Sequence, residues 1–107
     1  MVNIEKISES AMKVITYSGM AKSCYLEALS LAKQGDFVEA EKKIEEGNKS
    51  FVEAHDGHMD VLQEEMASLE PQISLLMTHA EDQLMSAETI KIVIMELIEL
   101  YKEKKEN

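Results

Sequence analysis

A chain of 107 residues has room for one domain, 1–107, with one core, which excludes a multidomain enzyme carrying its own cofactor cradle. Four glycines and one proline leave little material for turns, so the chain reads as long helices and an all-β fold is excluded. Eleven lysines, no arginine and 21 acidic residues give a net charge of −10, which repels nucleic acid and anionic membrane and removes the guanidinium clamps that usually hold phosphate.

The first predicted helix starts at Ile4. Apolar or small residues recur at Ile7, Ala11, Val14, Ile15, Ser18, Ala21, Tyr25, Ala28 and Ala32, a spacing of three to four. Gly35 suits the left-handed position that ends a helix, and Asp36 followed by Glu39 reads as an N-cap with a capping-box partner. The second helix follows at once through Phe37, Ala40, Ile44, Phe51, Ala54, His58, Val61, Leu62, Met66 and Leu69, and Pro71 forbids its continuation. Gly47 and Gly57 read as weak points inside it. The third helix starts near Ile73 and passes Leu76, Met77, Ala80, Leu84, Ala87, Ile90, Ile94, Leu97 and Tyr101, with a solvated tail expected from Lys102 onward.

Two antiparallel hairpins, the first with a very tight turn, make an all-α, up-down-up three-helix bundle. The third helix carries more apolar residues than one buried stripe needs: Ile92, Val93, Ile94 and Met95 are consecutive, and Leu75, Met85 and Ile92 repeat the excess. A second partner is expected on that face, and another copy of the chain is the default occupant. Cys24 stands alone, which permits no internal disulfide and points to a reducing cytosol. The first twenty residues are broken by charges and no run of 18 apolar residues exists, so neither export nor membrane insertion is expected.

The three histidines differ in company. His55 and His58 are three apart on the second helix, a spacing that can serve one metal, but no Glu-x-x-His or HExxH pattern supports them, and ordinary surface histidines are the better reading. Cys24 reads as a small core hydrophobe. His79 shares one side of the third helix with Asp82, Gln83 and Ser86, a polar strip in the most apolar helix of the chain. Asp82 also falls among Leu75, Thr78, Met85 and Thr89, where a carboxylate calls for a counter-charge such as a bound cation. On the residues alone, a solvated strip and a working site fit equally well.

The stretch His79-Ala80-x-Asp82-x-Leu84-Met85 resembles the active-site signature of the IIA components of lactose/cellobiose/chitobiose-type phosphoenolpyruvate-dependent sugar phosphotransferase systems. The resemblance extends through Ser18-Gly19-x-Ala21-Lys22-Ser23, Gly35-Asp36-Phe37, Glu53-Ala54-His55 and Leu97-Ile98-Glu99-Leu100-Tyr101. It implies a homotrimer of three-helix subunits and a phosphoryl group carried on His79. It further implies that Asp82 is a metal ligand contributed once by each subunit, with one divalent cation per trimer and magnesium the ion expected. The partners it implies are the histidine-containing phosphocarrier protein as donor and a cysteine of the IIB component as acceptor, in the phosphorylating uptake of a β-linked disaccharide. Glu81 and Gln83 replace the family's usual Gln and second His, and His58 stands where Gln is common; Glu81 is expected to add negative charge beside the phosphohistidine. An Arg-free shuttle is chemically workable, because nitrogen-to-nitrogen phosphoryl transfer needs alignment and charge neutralisation more than acid or base catalysis, and a partner can bring the cations.

Other readings start from other residues. Ala32-x-x-Gly35-Asp36-Phe37-x-x-Ala40 looks like one hairpin of a tetratricopeptide-type interaction module, yet it has no second copy to stack on. A two-component histidine phosphotransfer domain would need Lys and Gly after the histidine, where Glu81, Asp82 and Gln83 stand. An inert trimeric bundle is the remaining alternative.

Overall fold

The computed structural model describes residues 3–106 and consists of three α-helices, α1 (Ile4–Lys33), α2 (Phe37–Ser68) and α3 (Leu75–Glu106). They run up, down and up in a rod of 60 × 19 × 17 Å. Asn3 caps α1 by accepting from the Lys6 amide at 3.1 Å. At the other end the Gly35 amide reaches the Ala32 carbonyl at 3.0 Å and the Asp36 amide reaches that of Leu31 at 2.9 Å, with Gly35 at φ 85°. This paired closure satisfies carbonyls the helix would otherwise leave bare, and glycine takes the positive φ without a Cβ penalty. Asp36 then caps α2 through the Glu39 amide at 3.2 Å. Only half of the expected capping box forms: the Asp36 amide is already committed to α1, and the Glu39 carboxylate pairs with Lys42 at 3.0 Å.

The end of α2 comes at Ser68, three residues ahead of Pro71, with Leu69 in the left-handed region at φ 58°. The connection is tied back through Glu65, whose carbonyl accepts from the Leu69 amide at 2.9 Å and whose carboxylate accepts from the Gln72 amide at 2.8 Å. Ser74 caps α3 by accepting from the Met77 amide at 3.0 Å. Where the sequence suggests a solvated tail after Tyr101, α3 continues to Glu106. Lys105 explains the difference, since its ammonium donates to the Gly35 carbonyl at 3.2 Å and lies 5.3 Å from the centre of the Phe37 ring, fastening the last turn to the α1–α2 reversal.

Alanines line the contacts and let the helices approach closely. Ile7, Ala11, Val14, Ala54, Val61, Met77, Ala80 and Leu84 form one core segment, and Ala21, Tyr25, Ala28, Ala32, Ala40, Ile94 and Ile98 form the other, with Phe51 bridging the two. The centre of the arrangement is α1, which packs along both other helices, whereas α2 and α3 touch each other only marginally. Gly47 and Gly57 are buried sites of close approach rather than weak points. A Cβ on Gly47 would stand 2.6 Å from Tyr25 Cε1, and one on Gly57 would stand 3.0 Å from Val14 Cγ2. Leu62, Met66 and Leu69 are exposed, against the sequence expectation, because α2 meets α1 through the stripe Gly47, Ser50, Ala54, Gly57 and Val61, and they lie on another face of the helix. No described helix is long and apolar enough to cross a membrane.

Candidate active site

The rotation of α3 is fixed by its buried stripe of Met77, Ala80, Leu84 and Ala87. Once that stripe faces α1 and the core, every polar residue of the 79–86 segment has a set direction. Gln83 lies on the flank that meets α1, where its Oε1 accepts from the Lys22 ammonium at 2.9 Å. His79, one turn earlier, shares that flank and is exposed. Among the described residues its imidazole has no hydrogen-bond or ion-pair partner, so a ring nitrogen is open to an approaching molecule.

Glu81 is directed the other way. Its Oε1 lies 3.7 Å from His58 Nε2 on α2, so the extra negative charge leans across the α2–α3 groove and away from the His79 flank. The polar strip suggested by the sequence is therefore divided: His79, Gln83 and the half-buried Ser86 towards α1, Asp82 outward, Glu81 towards α2. His55 is exposed and contributes nothing to this region, so the His55/His58 spacing does not become a site. Burial, helped by the Glu46 charge, pushes the Cys24 thiol above its ordinary range, which keeps it protonated and poorly nucleophilic.

Asp82 is exposed and has no partner of its own among the described residues. Around it α3 presents Leu75, Met85 and Ile92, which are 87%, 65% and 58% exposed. No group of three or more His, Cys, Asp or Glu side chains comes together in one chain among the described residues. A single chain thus offers one hard oxygen donor in an apolar surround; carboxylates of this kind suit magnesium or calcium, provided that further copies supply the remaining oxygens.

Sequence reasoning missed Lys22 as a member of this region. The cation comes from α1 across the helix interface, a contact that the spacing of residues along α3 does not reveal. The signal was the Ser18-Gly19-x-Ala21-Lys22-Ser23 stretch, whose lysine follows the buried Ser18 and Ala21 and so sits at the edge of the α1 contact face.

Comparison with known proteins identifies the family. The sequence profile of the family described as "PTS system, Lactose/Cellobiose specific IIA subunit" matches residues 9–102. The lichenan-specific phosphotransferase enzyme IIA component of Bacillus subtilis (strain 168) is 35% identical over 97 residues, which cover 91% of this chain and 88% of that one. The crystal structure of the cellobiose-specific enzyme IIA from Bacillus anthracis superimposes with a TM-score of 0.90 at 34% identity, covering all of this chain and 96% of the other. The chitobiose-specific IIA of Escherichia coli, solved in complex with HPr, gives 0.82 at 32% identity, covering 92% and 96%. Sequence, bundle and relatives converge, and the chain belongs to the lactose/cellobiose-specific IIA subunits, phosphotransferase components of the PTS.

Proposed function

We propose that this chain is a cytoplasmic phosphocarrier that accepts a phosphoryl group on His79 from the histidine-containing phosphocarrier protein HPr and passes it to the IIB component, during phosphorylating uptake of a β-linked disaccharide. The observation that carries this reading is His79 itself: an exposed imidazole without a partner among the described residues, on a convex helix flank within His79-Ala80-Glu81-Asp82-Gln83-Leu84-Met85. A surface nucleophile suits a protein whose substrate is another protein, because the donor can lay its own phosphohistidine against the helix without entering a pocket. The E. coli relative solved with HPr supports the choice of donor, and the lichenan, cellobiose and chitobiose relatives support the sugar class. The attacking nitrogen uses its lone pair on phosphorus, so the imidazole must be neutral and no general base is required.

The assembled form we propose is a homotrimer, closed through the outer face of α3 that exposes Leu75, Met85 and Ile92. Three copies of Asp82 would then meet near the axis, and a divalent cation, magnesium by its preference for carboxylate oxygen, would neutralise their mutual repulsion. The interaction-module alternative gains no support, since the chain has one Gly35-Asp36-Phe37 hairpin and no second repeat.

Incubation with phosphoenolpyruvate, the first enzyme of the system and HPr, followed by intact mass measurement and acid treatment, tests the carrier reading. One acid-labile phosphate per chain is expected, lost in His79→Gln and retained in His55→Gln and His58→Gln. Label that persists in His79→Gln places the site on α2; no label on wild type leaves an inert bundle.

A further inference from the structure

We propose that Lys22 is the cation that engages the phosphoryl group carried on His79, exchanging its hydrogen bond to Gln83 for one to the phosphoryl oxygens. The inference rests on the assignment of His79 as the phosphorylated residue and adds a contact from another helix to it.

Position comes first. The Lys22 ammonium lies 2.9 Å from Gln83 Oε1, and Gln83 is one turn beyond His79 on the same flank of α3. Residues four apart on a helix have Cβ atoms about 5–6 Å from one another. A lysine on a four-carbon stem spans that interval by rotating its outer bonds, and a phosphoryl group on the imidazole shortens the interval from the other end.

Charge is the second observation. Lys6, Lys13, Lys42, Lys43 and Lys102 each stand within 4.0 Å of a carboxylate, of Glu64, Glu53, Glu39, Glu27 with Glu46, and Glu99 respectively. Lys22 has only the neutral amide oxygen of Gln83 among the described residues. Lys105 is likewise held by an uncharged acceptor, the Gly35 carbonyl, but in this chain of net charge −10 without arginine only Lys22 of the two stands beside the candidate nucleophile. An amide orients the ammonium without cancelling its charge, whereas a carboxylate at position 83 would compete with the phosphoryl group for it. A phosphoryl dianion makes a charge-assisted bond of roughly twice the strength of a neutral one, so arrival of the phosphoryl group favours the exchange.

In the transfer a His79 ring nitrogen forms a bond to phosphorus while the donor's N–P bond breaks and its electron pair returns to the donor nitrogen. Lys22 stays protonated throughout and neither gives nor takes a proton. Its contribution is to offset charge on the equatorial oxygens as they move from one nitrogen to the other.

The test uses the full-length protein with phosphoenolpyruvate, the first enzyme and HPr, comparing wild type, Lys22→Met, Lys22→Arg and His79→Gln. Circular dichroism and light scattering check that each variant keeps its helices and assembly. Lys22→Met is expected to accept phosphoryl groups at least about tenfold more slowly, while Lys22→Arg, which keeps the charge, retains most of the rate. The phosphorus-31 resonance of the phosphohistidine is expected to move in Lys22→Met, and on wild type the Lys22 side-chain resonances are expected to shift on phosphorylation, a readout that needs no variant. Wild-type rates and an unmoved phosphorus resonance in Lys22→Met overturn the proposal, and so do Lys22 resonances that ignore phosphorylation. Label that persists in His79→Gln overturns the His79 assignment and this inference with it, an outcome separable from the first because it appears in a different variant.

Discussion

Two hydroxyls on α1 show what a buried polar group is worth. Tyr25 and Ser18 are both fully buried, two turns apart. The Tyr25 hydroxyl donates to Asn48 Oδ1 at 2.9 Å, and burial, with a smaller push from Cys24, raises the phenol to about 12. The Ser18 hydroxyl has no partner among the described residues. Because the folded state holds the Tyr25 proton more tightly than the unfolded chain, whose phenols titrate near 10, its contribution is fully present below about pH 10 and is lost as pH rises towards 12. Urea midpoints measured from pH 7 to 12 check this. Tyr25→Phe is expected to lose about 1 kcal/mol at neutral pH by stranding Asn48, and to show a flatter decline above pH 10 than wild type. Ser18→Ala is expected to gain about 1 kcal/mol, since no bond is broken and an unpaired hydroxyl leaves the core. Equal alkaline slopes, or a lower midpoint for Ser18→Ala, contradict these expectations. Helical periodicity in the sequence already places both residues on the buried face, whereas His79 and Asp82 are set apart from a solvated polar strip by the family resemblance. Whether a buried hydroxyl finds a partner, and that Lys22 reaches across to Gln83, depend on the rotation of two helices about each other, which one-dimensional spacing does not encode.

Among the elements, the α1–α2 contact is closest at Gly47. An alanine there would gain up to about 1 kcal/mol of helix propensity. Its methyl carbon would also lie 2.6 Å and 2.9 Å from two carbons of the Tyr25 ring and 3.1 Å from Cys24 Cβ. The ring is fully buried and tied to Asn48, so the helices must part. Overpacking of this kind costs about 1–3 kcal/mol, and Gly47→Ala is expected to lower the melting temperature. A methyl carbon on Gly19 would meet nothing within 4 Å, and Gly19→Ala is expected to raise it, by about 0.5–1 kcal/mol of stability. Thermal melts of the two variants check the pair; a rise for Gly47→Ala contradicts the close-approach reading. The three helices and the first reversal are legible from apolar spacing, Gly35 and Asp36, because those signals are local. Propensity misjudges Gly47 and Gly57, whose use is set by the neighbouring helix. It likewise misplaces the end of α3, because Lys105 finds its acceptor 70 residues away in sequence.

For the whole molecule, the exposed face of α3 dominates. Leu75, Met85 and Ile92 are exposed along one helix of a rod 60 Å long, and Asp82 stands among them. Light scattering after size exclusion is expected to give about three times the 12.1 kDa of one chain; a monomer at every concentration contradicts the trimer. Asp82→Leu is expected to abolish bound divalent cation while keeping the trimer, because an apolar side chain suits that surface and relieves the repulsion of three carboxylates. Equal cation content in wild type and variant, read by metal analysis, removes Asp82 from that role.

The central place of α1 bears on how the molecule comes apart. With α2 and α3 barely in contact, α3 can lift from α1 while the α1–α2 hairpin stays folded. In the isolated chain α3 is thus the unit of cheapest local opening, and it is also the helix that holds His79. Anything that binds the closed form through the outer face of α3 raises the free energy of that opening by mass action. In the trimer proposed above, association and the order of the His79 helix are therefore linked: dilution is expected to loosen α3, and closure of the three copies to hold it shut.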